Sequence, residues 1–440
     1  MLERVDLIKK IFGIQDKIVL NEYVLPEELE GITLINGYSG SGKSVFLRQY
    51  INTYHHYKTF DEPEDGTQPV INLIGNTIEE AFEYLGAVGL SEAFIYITSY
   101  NNLSEGQKMR FKIAKLLESG SRYIYFDEFL SNVDRKTARI IAYNIQKWLR
   151  KKKINAIFAT CHSDLTDYLL PDNLVEIEKC GLYRKKTLIC NTNLKDNILN
   201  KFEIRRGTFE DYNNLSKYHY LGEENIEETL RSTDAQIFIV TDNGNTIAVI
   251  VMATPYPLEW NCERFFEDIN NRLRIVTRII VHPQYRGIGV ATLLLKYVSK
   301  IYPHIELRSA MCRFFPFPEK AGFQPVELPS NKREYRFELD QFLENKGFDS
   351  EDVKYNELIN NLRDNEKKKL NNIIYNVYVR MLVDENKYFR ELLGLNELSD
   401  AEKKTLCNLL KYIFSEIPVE HLFSEIEYFR MQSYIKHFTN

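Results

Sequence analysis

The segment GYSGSGKS, residues 37–44, limits the possible fold more than any other stretch of these 440 residues. Glycines at 37, 40 and 42 let the backbone turn its N–H groups inward, Lys43 supplies a positive charge, and the Ser44 hydroxyl can ligate magnesium. ITLING (32–37) before it reads as a short buried strand, and SVFLRQYIN after it reads as a helix. Strand, glycine loop and helix in that order form the phosphate-holding unit of an α/β sheet. The expected ligand is ATP, held by Gly37, Ser39, Gly40, Gly42, Lys43 and Ser44.

A chain of this length is too long for one ordinary core, so two or three domains are expected. Hydrophobic content of 44% and charged content of 27% are those of a globular protein in water. No apolar run approaches the ~18–20 residues of a spanning helix. MLERVDLIKKIFG, charged from its start, shows no secretory pattern, so a cytoplasmic protein without membrane contact is expected. The six cysteines lie far apart with no CxxC pair, which argues against a disulfide framework and a zinc site. With a net charge of −5, the chain is no polycation, and RKKK (150–153) and YRKK (183–186) read as solvated ends of elements.

Four more segments belong with the glycine loop. YIYFDEF (123–129) is an apolar run ending in two carboxylates, as at the rim of a buried sheet. Asp127 would hold magnesium together with Ser44, and Glu128 would orient the attacking water. Upstream, LSEGQKMRFKIAKLL (103–117) resembles the signature of ATP-binding-cassette (ABC) ATPases. Ser104, Gly106 and Gln107 open a helix there, where the dipole and free N–H groups suit a γ-phosphate. SNVD (131–134) looks like the family's D-loop, with Asp134. AIFATCHSD (156–164) ends in His162, at the place of the family's switch histidine.

The resemblance covers about residues 1–190 and departs from the family in two respects. Only 58 residues separate Ser44 from Leu103, and the Q-loop glutamine has no better candidate than Gln68. In transporters that region couples to membrane domains, so its compression tells against transport. In the family, one subunit's signature completes another subunit's ATP site. The resemblance therefore implies an ATP-dependent homodimer.

From about residue 200 the pattern changes. QIFIVTDNGNTIAVIVMATPYP reads as a hairpin around Asp-Asn-Gly-Asn, and LRIVTRIIVHPQYRGIGVATLLLKYVSK (273–300) as strand, glycine loop and helix. QYRGIGVA (284–291) resembles the pyrophosphate loop of GNAT acetyltransferases, with Gln284, Gly287 and Gly289 at the matching positions and Arg286 and Ala291 suited to it. The implied cofactor is acetyl-CoA or another acyl-CoA. PFPEKAGF (316–323) looks like the segment leading into that family's last strands. Pro318, after Phe315 and Phe317, stands where many members carry a tyrosine that protonates the thiolate.

Over its whole length the chain is similar to soluble ABC ATPases fused to a GNAT-like domain. That half in turn resembles Mom-type phage enzymes, which acylate the exocyclic amine of adenine in DNA. His219, Tyr220, Arg278, His282 and Ser309 are the acceptor-side candidates, with Tyr218, Tyr256 and Trp260 as rings on which a base can stack. For each of these the plainer alternative is a core or capping role.

The expected architecture is α/β: an ABC-type P-loop ATPase domain at 1–195, a GNAT-like α+β acyltransferase domain at 200–345, and a helical C-terminal extension at 346–440. The last carries the capping box Ser399-x-x-Glu402. The expected function is ATP hydrolysis coupled to acyl transfer onto an amine, with DNA or RNA as partner. The alternatives are an ATP-switched module binding nucleic acid or the ribosome through a non-catalytic GNAT fold, and an acetyltransferase of protein or tRNA.

Overall fold

The computed structural model describes residues 4–13, 23–54, 56–60, 63, 65–178, 182–188, 198–219, 226–326, 332–348, 355–415, 419, 422–423 and 436–439. The chain divides into two compact units, Met1–Asn197 with Pro283–Ile288, and Ile198–His282 with Gly289–Asn440.

The first unit is built on a five-stranded sheet in the order β2-β3-β1-β4-β5. The strands are β1 (Ile32–Asn36), β2 (Tyr123–Phe126), β3 (Asn155–Thr160), β4 (Asn173–Ile177) and β5 (Tyr183–Thr187). β1 to β4 are parallel, and β5 pairs antiparallel with β4 at one edge. Leu34, Ile35, Ile124, Ala156, Phe158 and Val175 are fully buried, which is why these runs read as continuously apolar. One face packs on Phe46, Leu47 and Tyr50 of the helix Lys43–Thr53. The other packs on the helices Glu105–Glu118 and Arg135–Lys152, which bury Phe111, Ile113, Ile141 and Leu149.

The second unit holds a seven-stranded sheet in the order β11-β12-β10-β9-β8-β7-β6. Its strands are β6 (Glu203–Arg206), β7 (Gln236–Asp242), β8 (Asn245–Ala253), β9 (Leu273–Val281), β10 (His304–Ser309), β11 (Gln324–Val326) and β12 (Lys436–Thr439). The β7–β8 hairpin turns through Asn243 and Gly244, both at positive φ, as the Asp-Asn-Gly-Asn segment requires. β9 and β10 are parallel and paired only from Leu273–His304 to Val276–Leu307. β9 then runs on to Val281 beside β8, so the two strands part company at their C-terminal ends.

The C-terminal region is helical, as expected, but it is not an appended tail. The helices Lys332–Glu344, Tyr355–Asn361, Asp364–Leu392 and Asp400–Ser415 lie between β11 and β12 in the chain. β12 then returns to the sheet, antiparallel to both β10 and β11. Four residues with no turn signal carry too little pattern to announce a strand; the two waiting edges define it. Leu339, Leu343, Leu370, Ile374, Phe389, Leu406 and Leu410 pack against Phe265, Phe266, Ile269 and Leu273, so these helices share a core with the sheet. Arg308 of β10 makes a two-bonded pair with Glu306 and reaches Glu385 of the long helix at 2.7 Å.

Candidate functional site

In the first unit the chain leaves β1 and wraps the loop 37–42 before the helix Lys43–Thr53. Gly40 (φ +75°) and Gly42 (φ +101°) adopt left-handed backbone that a side chain disfavours. At Gly37 a Cβ would lie 2.7 Å from Ser41 Oγ and 2.9 Å from the Ile177 carbonyl, so the loop closes only around a bare backbone. Lys43 Nζ donates to the carbonyls of Gly37 and Tyr38, 2.8 Å each, drawing the ammonium back over the loop. Ser39 and Gly40 are exposed, and Ser44 is half-buried in the first turn of the helix. Ser41 Oγ is buried without a hydrogen-bond partner. An orphaned hydroxyl in this glycine loop fits a phosphate oxygen as partner. Sequence reasoning passed over Ser41 because its position in the loop pattern accepts any residue. It passed over Tyr23 too, whose hydroxyl lies 2.4 Å from where a Gly42 Cβ would stand and whose ring meets Phe46 edge-on.

The parallel order β2-β3-β1 brings three strand ends to one rim. Asp127 and Glu128 follow β2, His162 follows β3 by two residues, and the glycine loop follows β1. Glu128 is exposed, and its backbone N–H donates to Asp127 Oδ1 at 3.0 Å. Glu128 (φ +53°) and Leu130 (φ +55°) are non-glycine residues in left-handed backbone, on either side of buried Phe129. His162 is held below its ordinary pKa by burial, then by the Arg135 and Lys43 charges, with Asp164 opposing. It is therefore a neutral ring at pH 7, within electrostatic reach of the loop lysine.

Ser104, Gly106, Gln107 and Asp134 form a second cluster of the same unit. Ser104 and Gln107 cap the helix Glu105–Glu118 reciprocally, through Gln107 N to Ser104 Oγ (3.3 Å) and Ser104 N to Gln107 Oε1 (2.9 Å). A Cβ on Gly106 would lie 2.9 Å from the Asn132 carbonyl, so glycine lets the 131–134 turn approach. Asp134 caps the helix Arg135–Lys152 by accepting from Thr137 N at 3.0 Å. The Gln68 side chain donates to Asp65 at 3.2 Å, in the segment that bridges to Ser99.

In the second unit Gly289 (φ +107°) caps the helix Val290–Val298, with Ala291 in the first turn. The turn before it in the chain, Pro283–Ile288, is counted with the first unit and has Gln284 in a 3-10 segment, the Arg286 N–H donating to Pro283 O at 3.3 Å, and Gly287 at φ +85°. Thr292 Oγ1 donates to the Phe317 carbonyl at 3.3 Å, next to buried Pro318. Among the acceptor-side candidates, burial first and the Arg278 charge second push the pKa of His219 down to about 4. Tyr218 meets the His282 ring edge-on at 4.8 Å. Ser309 ends β10, beyond the last paired residue Leu307, where β9 has already parted from it. Tyr220 lies outside the described residues. One of the proposed stacking rings is corrected: Tyr256 is buried to 2% exposure against Phe266 and Phe389, so it belongs to the core under the helices, whereas Trp260, stacked on it at 6.0 Å, is half-buried.

Residues 202–315 match the acetyltransferase (GNAT) family. An uncharacterized ABC transporter ATP-binding protein of Sinorhizobium fredii is 36% identical over 92 residues, 19% of this chain and 27% of that protein. The match thus spans about a quarter of that relative's length. Among solved structures, a dimeric ATP-binding cassette in a post-hydrolysis state, bound to ADP and Pi, is similar to 39% of this chain over 90% of its own, at 19% identity and a TM-score of 0.32. A GNAT family acetyltransferase of Elizabethkingia anophelis with acetyl-CoA bound is similar to 29% of this chain over 78% of its own, at 18% identity and a TM-score of 0.23. The chain joins an ABC ATPase-like domain to a GNAT acetyltransferase-like domain. No helix among the described residues is long and apolar enough to cross a membrane.

Proposed function

We propose that the protein hydrolyses ATP between two copies of itself and that its second unit transfers an acyl group from acyl-CoA to a neutral amine, the exocyclic amine of a DNA base. The observation that carries the first half is the β2-β3-β1 order, which gathers Lys43, Ser44, Asp127, Glu128 and His162 at one rim. Lys43, the loop N–H groups and Ser41 would hold the phosphates. Ser44 and Asp127 would hold magnesium, which when bound neutralises phosphate charge. Glu128 orients the attacking water, and neutral His162 donates toward the γ-phosphate. Ser104, Gly106, Gln107 and Asp134 would close over the nucleotide of a second copy, since a helix start with free N–H groups suits a γ-phosphate.

For acyl transfer, the glycines at 287 and 289 and the start of the helix Val290–Val298 suit the CoA diphosphate. The parting of β9 from β10 leaves room for the thioester beside Thr277 and Arg278. The amine nitrogen attacks the thioester carbon, the C–S bond breaks, and the thiolate leaves to take a proton from water. The amine proton passes to His219, which is neutral at pH 7. The Arg278 charge acting on this ring disfavours an ammonium and suits an aromatic amine, which carries no charge.

Equal sedimentation of the Glu128→Gln variant with and without ATP and magnesium would remove the ATP-driven dimer. Nucleoside mass spectrometry on DNA and RNA from cells expressing the protein, beside a variant with Gly287 and Gly289 replaced, tests the acceptor. A modified base lost only in the variant supports it, and modified peptides instead would move the acceptor to protein. Buried Pro318, which has no hydroxyl, favours a second reading: an ATP-switched binding module whose GNAT fold does not turn over. Thiol release from acetyl-CoA separates the two.

A further inference from the structure

Two residues beyond His162, the Asp164 carboxylate is gripped by two guanidinium groups of the helix Arg135–Lys152. Arg135 Nη2 lies 2.7 Å from one oxygen and Arg139 Nε 2.7 Å from the other. Both are charge-assisted bonds, and the carboxylate is only 29% exposed, so solvent screens them less than a surface pair. The remaining Arg135 terminal nitrogen reaches the Leu130 carbonyl at 3.4 Å. Arg135 directly follows Asp134, the cap of its helix. One guanidinium therefore joins the helix that Asp134 starts, the turn that carries Glu128, and the segment that carries His162.

That turn needs the support. Glu128 and Leu130 both hold left-handed backbone, a conformation that non-glycine residues keep only where the surroundings impose it. Phe129 supplies one anchor, stacked on Phe158 at 4.1 Å and donating its N–H to Ala159 O at 2.8 Å. Arg135 supplies the other. Its charge also acts on the His162 ring, and Asp164 opposes that effect.

The ATPase reading assigns no work to Arg135, Arg139 or Asp164. The geometry points to Asp164 as a positioning residue: clamped by Arg135 and Arg139, it fixes the Glu128 turn, the Asp134 cap and His162 to one another, so the hydrolytic groups assume their places as a set. The inference rests on the ATPase reading above. A lysine at 135 cannot do this, since one ammonium does not span a carboxylate and a carbonyl as a planar fork does.

The test is ATP hydrolysis and equilibrium ATP binding by the full chain carrying Asp164→Asn, Asp164→Glu, Arg135→Lys or Arg139→Gln. Asp164→Asn and Arg135→Lys should each lower kcat at least ~10-fold with KM and ATP affinity held within ~3-fold. Asp164→Glu should recover part of the loss. Arg139→Gln, which leaves one arm of the clamp and spares the fold, should fall between. In a cycle with His162→Ala, the combined loss should fall short of the product of the two single losses, because Asp164 acts in part through His162. Asp164→Asn within ~2-fold of the unmodified chain, or losses that multiply in the cycle, would overturn the clamp and leave the ATPase reading intact. An unmodified chain that hydrolyses no ATP would overturn both.

Discussion

Replacing His219 with glutamine should make the second unit less sensitive to acid. The unfolded ring takes a proton near the ordinary 6.5, whereas the folded ring resists it until about 4. Between those values the unfolded state binds the extra proton, so the ring's contribution to stability is present above 6.5 and is lost as pH falls toward 4. A drop from 6.5 to about 4 has a ceiling of ~3.4 kcal/mol. The ring is only partly buried, so solvent screening reduces the expected loss to about 2 kcal/mol. The assay is urea unfolding followed at Trp260 in a Trp148→Phe background, from about pH 7.5 to about pH 4.5, with and without His219→Gln. The histidine chain should lose about 2 kcal/mol more than the glutamine chain across that range. Arg278→Gln removes the second cause and should shrink the difference. Parallel pH profiles, or an NMR titration showing the His219 ring charged near pH 6, would refute the reasoning and with it the proton acceptor proposed for acyl transfer.

Gly42→Ala combines unfavourable φ with a Cβ 2.4 Å from the Tyr23 hydroxyl and should cost about 1–3 kcal/mol. Adding Tyr23→Phe should relieve the crowding but not the backbone strain, a partial rescue visible in thermal melts. Arg308→Met leaves Glu306, 0% exposed, without its cation and should cost about 3–5 kcal/mol; adding Glu306→Leu should restore most of the loss in the same urea assay. Deleting residues 436–440 uncovers the facing edges of β10 and β11, and circular dichroism should show a lower midpoint with increased aggregation on heating. Glu128→Gln should retain ATP binding while hydrolysis falls at least ~100-fold, measured as phosphate release.

The features legible before folding lie in short windows whose chemistry is local. Glycines at 37, 40 and 42 before a lysine, the Ser104–Gln107 capping box, the Asn243–Gly244 turn and the glycines before Val290 each specify their own backbone, because φ, hydrogen bonding and helix caps depend on near neighbours. Only the tertiary structure decided the rest. That β3 lies between β2 and β1, and so brings His162 within electrostatic reach of the loop lysine, depends on β1 pairing with β3 across more than a hundred residues. That Tyr256 is core rather than a platform depends on helices supplied after β11. That Lys436–Thr439 is a strand depends on two edges made far upstream. Burial and pairing are properties of what the rest of the chain brings to a residue, and no local window contains them.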